Sequence, residues 1–125
     1  MLIDAAARAR EHAHAPYSKF RVGAALRTNS GRIFTGCNVE NSTYGLTLCA
    51  ERVAVFKALS EGERSFDAVA VVADTQRLTP PCGACRQILW EFCRDAQVIL
   101  ANLGGQIIVR RMSDLLPDAF DASFL

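Results

Sequence analysis

The chain reads as an α/β protein: a three-layer α/β/α sandwich with a central, mixed, five-stranded sheet. Three observations predict it. Residues 21–28, "RVGAALRT", alternate so that Val22, Ala24 and Leu26 share one face. The turn sequence "NSGR" leads from them into "IFTGCNV", which is the pattern of a β-hairpin. "DAVAVVAD" at 67–74 and "QVILANL" at 97–103 are continuous apolar runs separated by a helical stretch, as in strands covered on both faces by helices.

Taken in order, residues 2–13 form an opening helix with Leu2, Ile3, Ala6, Ala9 and Ala13 on one side, broken at Pro16 in "HAPYSKF". After the hairpin, the loop "ENSTYG" enters a helix at about 48–60, with Gly62 in "SEG" as its cap. The strand at 67–74 passes through "TQRLTPP" to a helix at 83–94, "GACRQILWEFCR". "QVILANL", the turn "GG" and "QIIVRRM" supply the last two strands, and Ser113 is placed to cap a short helix, "SDLL", before Pro117. No repeat, linker or low-complexity tract interrupts this, so residues 1–125 are expected to be one domain.

Net charge of +1 and a pI near 7.6 leave no electrostatic footprint for nucleic acid or an anionic membrane. The longest apolar run, "AVAVVA" at 68–73, is too short to span a bilayer. "MLIDAAARAREHAHAP" carries Asp4, Arg8, Arg10 and Glu11 where a secretory signal needs an apolar region. A cytoplasmic location is the resulting expectation. In a reducing compartment, clustered cysteines more often mean metal or catalysis than disulfides. Half of the residues are hydrophobic, which mildly favours a subunit with buried interfaces.

In "LTLCAERVAV", Cys49 stands two positions before Glu51, a spacing that points side chains apart in a helix body. They can act together if both lie at the helix start, where side chains and amides converge on an object over the axis. "PPCGACRQ" repeats the arrangement: Pro81 suits a helix start, and the i, i+3 spacing of Cys82 and Cys85 puts both sulfurs on one side. Two helix N-termini meeting at one point present three thiolates to a cation, and zinc favours sulfur in tetrahedral geometry. Three ligands leave one position open, as in catalytic sites. His12 and His14 are available to close it but read better as surface residues. Three thiolates on a divalent ion sum to −1, and Arg52, or Arg86 beside Cys85, is placed to offset part of that charge.

"CAER" followed by "PCGACRQ" resembles the zinc-dependent deaminases, a class with a known three-cysteine ligand variant and a non-ligand glutamate. Within that class the chain is similar to the small, homotetrameric cytidine deaminases that act on free nucleosides. The likeness runs from "PYSKFRVGAAL" through "GCNVEN", "CAERVAVFKALSEG" and "VAVVADT" to "LLPDAF". The resemblance implies a cytidine deaminase-like fold, one Zn2+ per subunit on Cys49, Cys82 and Cys85, and Glu51 as the proton shuttle. It implies that Phe20 packs against the nucleoside, Asn38 and Glu40 bind the ribose hydroxyls, and a backbone amide near Ala50 holds the pyrimidine. It also implies pockets shared between subunits through Tyr44 and Phe120. Ser42 departs from the alanine that relatives often carry.

Each of these residues has a plain alternative. Phe20 reads equally as core, Asn38 as a turn former, Glu40 as a solvated loop charge and Phe120 as a tether for the tail. Cys37 and Cys93 read as buried free thiols. The competing functions are a structural zinc module, a nucleic-acid deaminase and a deaminase of a cytosine-bearing antibiotic. The non-ligand Glu51 argues against the first, and near-neutral charge argues against the second. The favoured expectation is hydrolytic deamination of cytidine and 2′-deoxycytidine in nucleoside salvage.

Overall fold

The computed structural model describes residues 1–125. Its five strands are β1 (Val22–Thr28), β2 (Ile33–Cys37), β3 (Phe66–Ala73), β4 (Gln97–Asn102) and β5 (Ile107–Arg111), arranged in the order β2-β1-β3-β4-β5. β1 pairs antiparallel with β2 and β3, β3 runs parallel to β4, and β4 pairs antiparallel with β5. The expected mixed, five-stranded sheet is therefore present.

The helices are α1 (Leu2–Arg10), α2 (Ala50–Ser60), α3 (Gly83–Cys93) and the four-residue α4 (Met112–Leu115). The alternation of each strand sorts its side chains onto opposite faces. Val22, Ala24, Leu26, Val69 and Val71 pack with α2 and α3, whereas Ala25, Ala68, Ala70 and Val72 pack with Leu2, Ala5 and Ala6 of α1. Three layers result.

Two glycines set how closely helices approach the sheet. A Cβ on Gly23 would run into the Ala6 carbonyl oxygen of α1, and one on Gly36 would lie 2.5 Å from the Ala50 carbonyl oxygen of α2. Glycine at 36 therefore admits the first turn of α2, which carries Glu51, directly onto β2.

Two local features depart from the sequence expectations, at α1 and at Ser113, and a third, at Gly62, meets them. The opening helix ends at Arg10, not at residue 13, because the N–H groups of Glu11, His12 and Ala13 bond three residues back and His14 leaves to pair with Val39. Its buried side is Leu2, Ala5 and Ala6, with Ile3, Ala9 and Ala13 only half-buried. Ser113 is inside α4 rather than capping it: Arg111 is the N-cap, its N–H donates to the Asp114 carboxylate at 3.1 Å, and the Ser113 N–H donates to Asp95 at 2.9 Å. Gly62 follows the α2 cap residue Glu61 with φ of +92°, the left-handed conformation that suits glycine after a helix.

Candidate metal centre and substrate cleft

Cys49 is the N-cap of α2 and Cys82 the N-cap of α3, so Glu51 and Cys85 fall in the first turns of their helices. The two helix starts meet. The sulfurs of Cys49, Cys82 and Cys85 all lie within 4.8 Å of one another, with Cys49 and Cys82 3.9 Å apart. That is far beyond a disulfide bond, and all five cysteines of the chain are free. Thiolates about 2.3 Å from a tetrahedral ion lie about 3.8 Å from each other, so this set fits zinc. His12 and His14 lie outside the cluster.

The electrostatics suit a cation. Cys82 Sγ accepts from the Cys85 N–H at 3.4 Å, as an N-cap side chain does. Hydrogen bonding from the Cys85 thiol, reinforced by Arg52, pulls Cys49 down to about 5, and Cys85 as the donor is correspondingly pushed up. Arg52 Nη2 is 3.5 Å from Cys49 Sγ and 3.4 Å from the Thr47 carbonyl oxygen, while its Nε is buried without a protein partner. The guanidinium thus faces the thiolates with donor capacity unused. Arg86 makes no such contact with sulfur. It donates to the Pro81 carbonyl at 2.8 Å and to the Leu115 carbonyl at 2.9 Å, tying the cysteine loop to α4.

Glu51 is 4% exposed, and burial pushes its carboxyl up to about 7, with the Cys49 charge adding to the rise and Arg52 opposing it. A carboxyl poised near neutrality both takes and gives protons. It opens onto a cleft of about 170 Å³ lined by Phe20, Asn38, Cys49, Ala50, Glu51 and Cys82, among others.

The remaining candidates divide. Asn38 is buried and its amide is engaged: Oδ1 accepts from the Val22 N–H at 2.9 Å and Nδ2 donates to the Phe20 carbonyl at 2.7 Å. Glu40, Tyr44 and Phe120 are not in the cleft wall of this chain. Glu40 is held by Tyr17 and Ser18, Tyr44 packs edge-on to Tyr17 at 5.9 Å, and Phe120 stacks on Phe124 at 5.6 Å. Tyr44 is 74% exposed and Phe120 57%. Sequence reasoning missed Thr79 and Pro80, which close the cleft from the loop before Cys82. Their signal was the position of "TPP" next to the cysteine pair.

Known proteins share this arrangement of chain. The family model for the cytidine and deoxycytidylate deaminase zinc-binding region matches residues 1–101. The cytidine deaminase of Halalkalibacterium halodurans is 57% identical over 123 residues, spanning 98% of this chain and 93% of its own. That of Sporosarcina psychrophila is 56% identical over 120 residues, spanning 95% and 88%. A crystal structure of cytidine deaminase from Burkholderia pseudomallei, 55% identical, superposes with a TM-score of 0.93 over 95% of this chain and 96% of that one.

Proposed function

The chain belongs to the cytidine and deoxycytidylate deaminase family, and from that premise we propose that it hydrolyses cytidine and 2′-deoxycytidine to uridine and 2′-deoxyuridine, releasing ammonia. One observation carries the reading: a buried, near-neutral carboxyl, Glu51, shares a cleft with a three-thiolate cluster that has no fourth protein ligand. A structural zinc module needs a fourth ligand and has no use for that carboxyl.

Cys49, Cys82 and Cys85 would hold the zinc ion, and the chemistry it would supply there is the Lewis acidity that lowers the pKa of water towards neutrality. Glu51 takes the proton of the attacking water and delivers it to the pyrimidine ring nitrogen N3, which makes C4 electrophilic. After the water oxygen has added to C4, Glu51 carries that oxygen's remaining proton to the amino group, and the C4–N4 bond breaks to release ammonia as the C4 carbonyl forms. Arg52 draws charge from Cys49 and so limits how far three thiolates blunt the metal. Phe20 supplies an apolar wall for the base, Ala50 its backbone amide, Asn38 a side-chain amide for the sugar, and Glu40 an acceptor for a sugar hydroxyl. This division of roles is part of the proposal.

The same reading makes the enzyme a homotetramer in the cytoplasm, with Tyr44 and Phe120 completing pockets of neighbouring subunits. The cleft of one chain is smaller than the roughly 300–1,000 Å³ usual for ligand sites. Both aromatic rings are exposed, and so are Ile107 and Val109 on β5, the edge strand whose outer side has no partner strand. Five free thiols agree with a reducing compartment, and no helix is long and apolar enough to cross a membrane. Ammonia release from cytidine, 2′-deoxycytidine, a cytosine-bearing antibiotic and a cytosine-containing oligonucleotide tests the function. Rapid release from the nucleosides is expected; none from any nucleoside by the zinc-loaded protein overturns the reading. Sedimentation showing a fully active monomer would contradict the shared pocket.

A further inference from the structure

Ser18 lies in no motif of metal or proton chemistry, yet it joins two of the residues assigned to substrate. The segments around 14 and 38–40 pair, with the His14 N–H donating to the Asn38 carbonyl at 2.9 Å and the Glu40 N–H to the His14 carbonyl at 2.8 Å. This lays the turn at Tyr17 and Ser18 over the Glu40 side chain. Glu40 Oε1 accepts from the Tyr17 N–H at 2.9 Å and the Ser18 N–H at 3.1 Å, and Oε2 accepts from the Ser18 hydroxyl. The same hydroxyl accepts from the Phe20 N–H at 3.0 Å. Lys19, between them, holds φ of +61°, a conformation that non-glycine residues seldom adopt and that recurs at working sites.

The arithmetic of the carboxylate is restrictive. It offers about four acceptor positions, of which two on Oε1 and one on Oε2 are filled, leaving about one on Oε2. The Ser18 hydroxyl also keeps Glu40 below the usual carboxylate range, so the group is an acceptor and not a donor.

We propose that Ser18 is a positioning residue for substrate: one hydroxyl spaces the Glu40 carboxylate against the Phe20 backbone, so that a single free position on Glu40 is presented to one sugar hydroxyl while the Phe20 ring lines the cleft. The inference rests on the nucleoside reading given above. Glu40 is two residues beyond Asn38, which lines the cleft just after β2, and Phe20 lines it from the segment just before β1. Ser18 is exposed, so its truncation leaves the core intact.

The test compares wild type, Ser18→Ala and Ser18→Thr on cytidine and on 2′,3′-dideoxycytidine, which lacks both ring hydroxyls, with zinc content and melting temperature measured on each preparation. Losing a charge-assisted hydrogen bond predicts that Ser18→Ala raises KM for cytidine about tenfold with kcat within about twofold. The same change moves the dideoxynucleoside less than about twofold, and Ser18→Thr restores the cytidine value. Equal losses on both nucleosides, or no loss on either, overturn the inference while leaving the deaminase reading intact. A zinc-loaded wild type inert towards cytidine overturns that reading and this inference with it. If Ser18→Ala does not fold, Ser18→Cys, which keeps the shape and weakens the donor, is read by the same ratio.

Discussion

Arg52 Nη2 lies 3.5 Å from the sulfur of Cys49, three residues earlier at the start of the same helix. The contact joins a cation to a thiol whose affinity for its proton is lowered, and hydrogen bonding to Cys49 holds the guanidinium above its ordinary pKa in return. Arg52→Gln should keep the fold and lose about 10–100-fold in metal affinity or in kcat/KM. Metal titration alongside steady-state kinetics reads both, and a variant equal to wild type in each removes Arg52 from the site.

Glu51→Gln keeps the shape of the side chain and abolishes its proton transfer. Turnover should fall by at least about 10²–10⁴-fold, because one carboxylate serves more than one transfer, while zinc content stays at one per chain. Near-normal turnover would rule out the proton shuttle.

Cys82→Ala removes both a sulfur and the N-cap acceptor for the Cys85 N–H. Metal and activity should disappear together. Exhaustive dialysis of the native protein against a chelator should do the same reversibly, with activity returning on zinc addition. Full activity in metal-free protein discards the metal centre.

Gly36→Ala places a methyl group 2.5 Å from the Ala50 carbonyl and 2.6 Å from the Ala54 nitrogen, where backbone and not a flexible side chain must yield. Overpacking of this kind costs about 1–3 kcal/mol. Thermal unfolding should shift down by several degrees, and kcat should fall because the first turn of α2 carries Glu51. Unchanged melting shows that α2 has room to move.

Asp121 anchors the C-terminal tail. Its carboxylate accepts from Ser123 and from the Trp90 indole N–H at 2.9 Å, with Arg94 3.7 Å away, and these bonds pull it down to about 2. A folded-state value below the unfolded one means that this support is present above about pH 4 and is lost as pH falls towards 2. Trp90 is the one tryptophan of the chain, so its fluorescence should report release of the tail across that window. In Asp121→Asn the acid-dependent step should vanish; its persistence would assign the step to another carboxylate.

Some of the site was legible because its logic is local. Cys49 and Glu51 can act on one object only at a helix start, and that is where α2 puts them, with Cys49 as cap and Glu51 in the first turn. Arg86 shows where local reading fails. Adjacency to Cys85 made it a candidate to support the thiolates, but neighbouring residues on a helix point about 100° apart, and its guanidinium instead reaches Pro81 and Leu115. Ser113 had the right chemistry for a cap, and Asp95, eighteen residues earlier, took its N–H instead.

The residue order by itself determined the sheet and helix pattern, the three thiolates and the family, since periodicity, short spacings and motif order are properties of neighbouring residues. Tertiary structure decided that the Cys49 and Cys82 sulfurs stand 3.9 Å apart, that Asn38 binds Val22 and Phe20, and that Ser18 clasps Glu40. These contacts join residues from 16 to 33 positions apart, and such distances depend on how helices seat on the sheet at Gly36 and how the loop turns at Lys19.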